Sequence, residues 1–368
     1  MQAYQKKLKG NKIGVVFGSF APLHQGHLDL IFKAKKECDG GCIVVVCGYD
    51  GDKGEPFMPH EKRYRYVREF FENDDLVAVY SINDTKLGLC NYPLGWEGWL
   101  KEFNSICKKN AEYKERIWYV GEKFYFNDLV QRQEEVILVN REINAISGTI
   151  IRNNPIKYWN KIAFPFKRVF STNILICGTA SEGKTNLTKD LAKYFNTSYS
   201  SEYARTYMQE NCLCEWELTQ LDFIAFLNGQ FQLNKKQINS NANCGVFFAD
   251  TDSMVTKMYA EYYSQDSNLS LTKKEFEDIA QIADIITQKC KWDKIYLLYP
   301  NGVFVDDHIR YKGHSELEER NAMFSILVKN IQNAGLWDKV VLLKGGEYLE
   351  NFETIKNDVR RLLKNEKI

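Results

Sequence analysis

The chain has 368 residues, a formal net charge of +1 and 44% hydrophobic residues, enough for about two domains with a core each. A near-neutral chain gains little from counterion release on a polyanion, which argues against nonspecific nucleic-acid binding. No window of about 18 apolar residues occurs and no N-terminal stretch has signal-peptide character, so membrane insertion is excluded and a soluble, cytoplasmic chain is expected.

In the first half, β-rich runs at 13–18, 43–47, 77–81, 116–120 and 135–139 alternate with amphipathic stretches at 26–38, 59–72, 96–110 and 123–133. Such alternation predicts a parallel sheet covered by helices on both faces. Right-handed crossovers then gather the loops after the strands along one edge, where ligands bind. Residues 153–172 are rich in aromatics and poor in Gly and Ser, which predicts a packed linker rather than a flexible one. The second half repeats the design with strands at 173–177, 245–250, 294–299 and 338–343. Its helices are expected at 183–195, 215–238, 272–290, 315–334 and 350–365. Ten cysteines are scattered, several inside predicted strands, such as Cys47 and Cys177. That is the pattern of small buried hydrophobes in a reducing compartment, not of a disulfide framework. Cys212-x-Cys214 lacks the second ligand pair of a zinc site.

Two phosphate-handling loops of different chemistry stand out. The first is Gly18-Ser19-Phe20-Ala21-Pro22-Leu23-His24-Gln25-Gly26-His27, directly after an apolar run. Strand, tight loop and helix together point backbone N–H groups and a helix dipole at an anion. His24 and His27, three apart, can face the same phosphates. Gly18 and Gly26 permit close backbone approach, with Phe20 between them. This fits a nucleotidyltransferase, which joins a phosphate nucleophile to the α-phosphorus of a nucleoside triphosphate and expels pyrophosphate. No covalent intermediate is needed; the site aligns two anions and absorbs developing charge. In Ser147-Gly148-Thr149-Ile150-Ile151-Arg152, Ser147 or Thr149 can cap a short helix whose N–H groups bind phosphate, with Arg152 adding a forked cation. Arg63, Arg65 and Arg68 lie near His60 on a helical stretch, and a solvated basic face is the default for Arg68.

The second loop, Gly178-Thr179-Ala180-Ser181-Glu182-Gly183-Lys184-Thr185, matches the P-loop pattern in full. Gly178, Ser181 and Gly183 belong to the cradle, Lys184 reaches the β- and γ-phosphates of ATP, and the Thr185 hydroxyl holds Mg²⁺. The strand Val246 to Ala249 ends in Asp250-Thr251-Asp252. One carboxylate, Asp250 or Asp252, is expected to hold Mg²⁺ through water, and Asp252 can also cap the next helix.

The motif Gly-x-Phe-x-Pro-x-His-x-Gly-His followed by Ser-x-Thr-x-x-Arg resembles the nicotinamide-mononucleotide (NMN) adenylyltransferases. With Tyr92-Pro93-Leu94-Gly95-Trp96-Glu97-Gly98-Trp99 and Pro155-Ile156-Lys157-Tyr158-Trp159, nearly the whole chain resembles the bifunctional NadR family. The resemblance implies an α/β chain of two domains: a Rossmann-like nucleotidyltransferase parallel sheet over 1–152, the linker 153–172, and a P-loop kinase parallel sheet over 173–368. It implies NAD salvage. The second domain makes NMN from nicotinamide riboside and ATP, and the first makes NAD and pyrophosphate from NMN and ATP. Trp96 or Trp99 would stack on the nicotinamide. Glu202-Tyr203-Ala204-Arg205 would line the nucleoside pocket, Glu202 on the ribose or assisting deprotonation and Arg205 on phosphate, with Asp250 at the same site. Where the family often carries an aromatic residue before this Glu, the chain has Ser201, leaving Tyr262, Tyr263 and Trp216 as stacking candidates. Val305-Asp306-Asp307-His308-Ile309-Arg310 resembles a lid whose Arg310 closes over the transferring phosphoryl group. Other readings remain open at this level: one active domain, a cytidylyltransferase-like or pantetheine-phosphate adenylyltransferase-like acceptor, or a regulatory nucleotide-binding protein. A repressor role needs a helix-turn-helix, and the dozen or so residues before the first strand are too few for one. The partners expected are small molecules, not nucleic acid or membrane; homo-oligomerisation is left open.

Overall fold

The computed structural model describes residues 7–48, 58–139, 146–266, 271–301 and 316–365. The chain divides into two compact units, one running to Phe170 and one starting at Ser171.

The first unit comprises β1 (Leu8–Lys9), β2 (Lys12–Gly18), α1 (Gln25–Glu37), β3 (Cys42–Cys47), α2 (His60–Phe70), β4 (Val77–Ile82), α3 (Asp84–Leu87), α4 (Trp96–Asn110), β5 (Ala111–Glu112), β6 (Glu115–Val120), α5 (Lys123–Gln131), β7 (Glu135–Leu138), α6 (Gly148–Asn153) and α7 (Phe164–Phe170). Five strands form a parallel sheet in the order β4-β3-β2-β6-β7, while β1 pairs only with β5. Side-chain alternation buries both faces: Cys42, Val44 and Val46 enter one core, Ile43 and Val45 the other. Near-continuous apolar strands such as this one are what a sheet covered on both sides requires. The chain builds outward from β2 to β4 and returns on the other side of β2 through β6. That reversal opens a crevice at the strand ends, and the first loop leaves β2 there. Trp159, Ile162, Ala163, Phe166 and Phe170 are buried in the same core. The Ala163 N–H donates to the Leu23 carbonyl at 3.1 Å, so this segment braces the first loop.

The second unit comprises β8 (Thr172–Gly178), α8 (Lys184–Phe195), β9 (Tyr199–Ser200), α9 (Tyr203–Glu210), α10 (Gln220–Ile238), β10 (Val246–Asp250), α11 (Ser253–Tyr263), α12 (Lys273–Lys289), β11 (Lys294–Tyr299), α13 (Leu317–Asn333), β12 (Val340–Lys344) and α14 (Tyr348–Asn365). Its strands are parallel in the order β12-β11-β8-β10-β9. The helix expected over 215–238 is broken near Leu218. Glu215–Glu217 forms a separate 3-10 turn, and α10 begins only where Thr219 and Asp222 cap each other reciprocally, a stronger start signal than the apolar pattern running through it. Helix α9 was not expected, and of α11 only its cap, Asp252, was. With α10 and α12 they enclose a further apolar cluster that includes Met208, Phe223, Phe226 and Tyr263. No described helix is long and apolar enough to cross a membrane.

Candidate active sites

In the first unit, His24 is 1% exposed and begins α1 with extended backbone. Its ring stacks on that of His27 with centroids 3.8 Å apart, and Phe20 meets His27 edge-on at 4.9 Å. Gly26 makes this stacking feasible, because a Cβ there would press on the His24 ring at 3.3 Å. The expected second cluster reaches the same loop. Ser147 caps α6 by accepting from the Ile150 N–H at 3.2 Å; Arg152 donates to the Ala21 carbonyl and, at 3.1 Å, to the Thr149 hydroxyl. Gly148 permits the approach, since a Cβ there would lie 2.7 Å from the Ala21 oxygen. Gly18 lies at the end of β2, with the Phe20 ring as its nearest neighbour.

Of the three arginines near His60, Arg63 is the one that packs inward. It is fully buried, donating through Nε to the Met58 carbonyl at 2.9 Å and through Nη1 to the carbonyls of Ser19 and Cys47. One guanidinium thus ties α2 to the first loop and to the end of β3. Beside these groups opens a cleft of about 620 Å³, lined by Gly18, His27, Tyr92, Trp96, Trp99 and Tyr125 among others. The two tryptophans differ. Trp99 donates its indole N–H to the Cys90 carbonyl at 2.9 Å, whereas the buried Trp96 Nε1 has no acceptor among the described residues. Trp96 stacks on Tyr125 with centroids 5.4 Å apart.

In the second unit, β8 runs into the P-loop. Gly178 at φ +150°, Ser181 at +66° and Gly183 at +82° bend the chain into a cradle. A Cβ on Gly178 would lie 2.5 Å from the Leu298 carbonyl oxygen, so the strand-to-loop junction admits only glycine. Lys184 folds back onto the Thr179 carbonyl at 2.5 Å. The Thr185 hydroxyl donates to Asp250 Oδ2, which parallel pairing of β10 with β8 brings beside the loop. The other oxygen, Oδ1, has no partner among the described residues. Burial raises the Asp250 carboxyl to about 6 against the pull of Lys184, and the Glu202 charge adds to the rise. A hydroxyl and a buried carboxylate with a spare oxygen are hard donors, a set that suits Mg²⁺ completed by phosphates and water.

Asp252, the other acid of that pair, is tied into the fold. It is 1% exposed and both oxygens are spent on structure: Oδ1 accepts from the Met254 N–H at 3.0 Å, capping α11, and Oδ2 accepts from Trp292 Nε1 at 2.9 Å. Burial holds it at about 6 too. Tyr203 also departs from its expected role. Its ring packs on Gly229 of α10, where even a Cβ would come within 2.0 Å of it. Glu202 and Arg205 do line a narrow pocket with Gln230, Phe223, Phe226 and Tyr263. The Gln230 side chain clamps that turn, accepting from the Tyr203 N–H at 2.7 Å and donating to the Ser201 carbonyl at 3.2 Å. Of the three stacking candidates only Tyr263 lines the pocket; Trp216 is half exposed. Phe223, Phe226 and Tyr259 were missed, although their spacing on α10 and α11 was visible. Arg310 and its neighbours 305–309 lie outside the described residues.

Sequence reasoning also missed a buried ion pair under the P-loop. Arg320 Nη1 lies 3.0 Å from Glu182 Oε1, with both side chains fully buried. Removing one partner strands a charge in the interior. Arg320→Met is expected to destabilise the second unit by about 3–5 kcal/mol, read as a fall in that unit's denaturant midpoint with the first unit's transition unmoved.

Comparison with known proteins places these sites in a family. Residues 15–154 match the cytidylyltransferase-like family and residues 173–348 the AAA domain family. The trifunctional NAD biosynthesis/regulator protein NadR of Salmonella typhimurium is 28% identical over 91% of this chain and 80% of its own length. That of Escherichia coli is 29% identical over 86% and 77%. A NadR protein solved in complex with NR superposes with a TM-score of 0.82 at 32% identity, covering 96% of this chain and 97% of that one. A NadR protein solved with NAD and AMP-PNP gives 0.79 at the same identity and coverage. With two parallel-sheet units in the same order, each carrying its phosphate loop, the chain belongs to the NadR family.

Proposed function

We propose that the chain is a bifunctional NAD-salvage enzyme. The second unit phosphorylates nicotinamide riboside with ATP to give NMN, and the first adenylylates NMN with a second ATP to give NAD and pyrophosphate. The observation that carries this reading is the presence of two unlike phosphate loops, each at the carboxyl edge of its own parallel sheet. The NadR proteins solved with NR and with NAD and AMP-PNP support the substrates. The domains are read as 1–152 and 173–368, with 153–172 as a packed linker.

In the first unit, His24, His27 and the N–H groups opening α1 stabilise charge on the α-phosphoryl group and on departing pyrophosphate. Ser147, Thr149 and Arg152 hold the triphosphate, together with the backbone around Gly18, Phe20 and Gly26. Trp96, with its unspent N–H, takes the nicotinamide in preference to Trp99.

In the second unit, Lys184 leaves Thr179 for the β- and γ-phosphates, and Thr185 and Asp250 hold Mg²⁺. That ion, when bound, neutralises charge between the two phosphates. Glu202 orients the attacking ribose hydroxyl and Arg205 the phosphate end; Arg310 is assigned the lid role.

Asp250 gives the kinase a pH signature. A carboxyl held at about 6 instead of 3.8 keeps its proton in the folded chain where the unfolded chain has lost it. The stability this contributes is present at low pH and is lost as pH rises from about 4 through 6. Holding Mg²⁺ needs the ionised form. With Mg²⁺ limiting, kcat/KM for riboside phosphorylation is therefore expected to fall about tenfold per pH unit below 6, with no matching break in NMN adenylylation. A kinase rate flat from pH 7 to 5 would contradict this assignment.

Incubation with nicotinamide riboside, ATP and Mg²⁺ tests the whole reading. NMN and ADP should form first, then NAD and pyrophosphate; NMN supplied directly should give NAD without ADP. Replacing ATP by CTP should stop NAD formation. Preferential use of CTP, or only one class of nucleotide product, would overturn the proposal.

A further inference from the structure

The turn from β10 to α11 bends at a residue ill suited to bending. Thr251 stands at φ +110°, a region that side chains branched at Cβ enter only at a cost in free energy. Of the non-glycine residues at positive φ among the described residues, it is the one with a branched Cβ, and it lies furthest from the left-handed helical region. A glycine would make this turn without that strain. The threonine side chain does little for the fold to offset it. Thr251 is 5% exposed, yet its hydroxyl makes no hydrogen bond among the described residues. A hydroxyl on a residue so enclosed is costly to leave unpaired. The same residue lines the narrow pocket of Glu202 and Arg205. Two neighbours in that lining are already engaged: Gln230 holds the turn around Glu202, and the Thr256 hydroxyl turns back to the Asp252 carbonyl at 3.5 Å. Thr251 follows directly on Asp250, the residue assigned to Mg²⁺, and the Glu202 charge is felt at that aspartate. This is the end of the pocket nearest the phosphates, where the sugar of a nucleoside acceptor lies.

We infer that Thr251 is a substrate-binding residue of the second unit, its hydroxyl bonding to the 2′- or 3′-hydroxyl of the acceptor's ribose and its strained backbone carrying it to that position. The inference rests on the reading of the second unit as a riboside kinase. In that reading Glu202 orients the attacking 5′-hydroxyl, which leaves the two ring hydroxyls to other groups. A hydroxyl both donates and accepts, so Thr251 suits a partner of the same kind. An acceptor lacking the matching hydroxyl leaves Thr251 unpaired, so this residue discriminates ribosides from deoxyribosides.

The test uses nicotinamide riboside and its 2′-deoxy and 3′-deoxy analogues as phosphate acceptors. The wild-type chain should use one of the two analogues about tenfold less well than the riboside. Thr251→Val keeps the shape and the branched Cβ and removes the hydroxyl. It should lower kcat/KM for nicotinamide riboside about tenfold, but for that one analogue by less than about twofold. Thr251→Ser, which keeps the hydroxyl, should recover most of the loss. An unchanged melting transition of the second unit reports that the valine variant is folded. Undiminished phosphorylation of nicotinamide riboside by Thr251→Val, or an equal loss on all three acceptors, overturns the inference and leaves the kinase reading intact. Failure of the wild-type chain to phosphorylate nicotinamide riboside sinks the kinase reading itself, and this inference with it. Should the valine variant lose its folding transition, Thr251→Gly, which suits the positive φ, takes its place beside Thr251→Ser. The glycine variant alone should then show the acceptor-dependent loss, and equal rates in the two would overturn the inference.

Discussion

Lys184→Ala should abolish riboside phosphorylation, by about 10³-fold in kcat, while NAD still forms from supplied NMN at the wild-type rate. The loss is large because phosphoryl transfer involves little covalent work by the protein. Catalysis is mostly the placing of fixed positive charge on a group whose negative charge is shifting toward the leaving oxygen. Lys184 supplies that charge from a cradle bent by three residues at positive φ. Its present bond to the Thr179 carbonyl is one that phosphates can displace. The replacement should leave the second unit folded, since Lys184 is only partly buried and takes no part in the buried pair of Glu182 with Arg320. Steady-state assays of both reactions on one preparation check the result. Loss of both activities in a folded protein would mean that the sites do not work independently.

His24→Ala should do the reverse. NMN adenylylation should fall about 10³-fold, with riboside phosphorylation unchanged. His24 is held by its position at the start of α1, by the ring of His27 and by an antiparallel bridge from its backbone to Ile162. A ring so fixed is preorganised toward charge that appears only in the transition state, so its removal should lower kcat more than it raises KM. His27→Ala should fall in the same direction but less steeply, because Phe20 and the helix dipole still frame the site. An increase in KM alone for His24→Ala would recast this residue as a binding group.

The two phosphate loops were legible in the sequence because everything that defines them is local. An apolar strand, glycines at required positions and a helix start lie within about ten residues, a reach over which backbone geometry follows from residue type. The sheets were legible for the same reason, since alternating elements joined by right-handed crossovers leave few arrangements. What the sequence hid depends on long-range packing. Arg63 reads as one of three arginines near His60; its burial comes from α2 packing against the carbonyls of Ser19 and Cys47, 44 and 16 positions away. Glu182 occupies a variable position of the P-loop pattern, and its partner Arg320 is 138 positions away. The sequence offers either Asp250 or Asp252 as the metal ligand. Extended backbone at Asp252, which turns it toward the first N–H groups of α11 and toward Trp292, separates a helix cap from a metal ligand. Trp96 and Trp99 share a helix face and are both buried; only the Cys90 carbonyl, engaging one of them, tells them apart. The ring spacing at Phe223 and Phe226, and at Tyr259 and Tyr263, was visible, but periodicity does not say whether an aromatic stripe faces a core or a ligand.

The central claim is that each unit holds its own ATP. Equilibrium binding of a nonhydrolysable ATP analogue, with Mg²⁺ present, measures this directly. Two analogue molecules should bind per chain, and Lys184→Ala and Arg152→Ala, each removing a cation assigned to a triphosphate, should each weaken a different one. A single molecule per chain at saturation, or one that both replacements weaken together, would contradict the account.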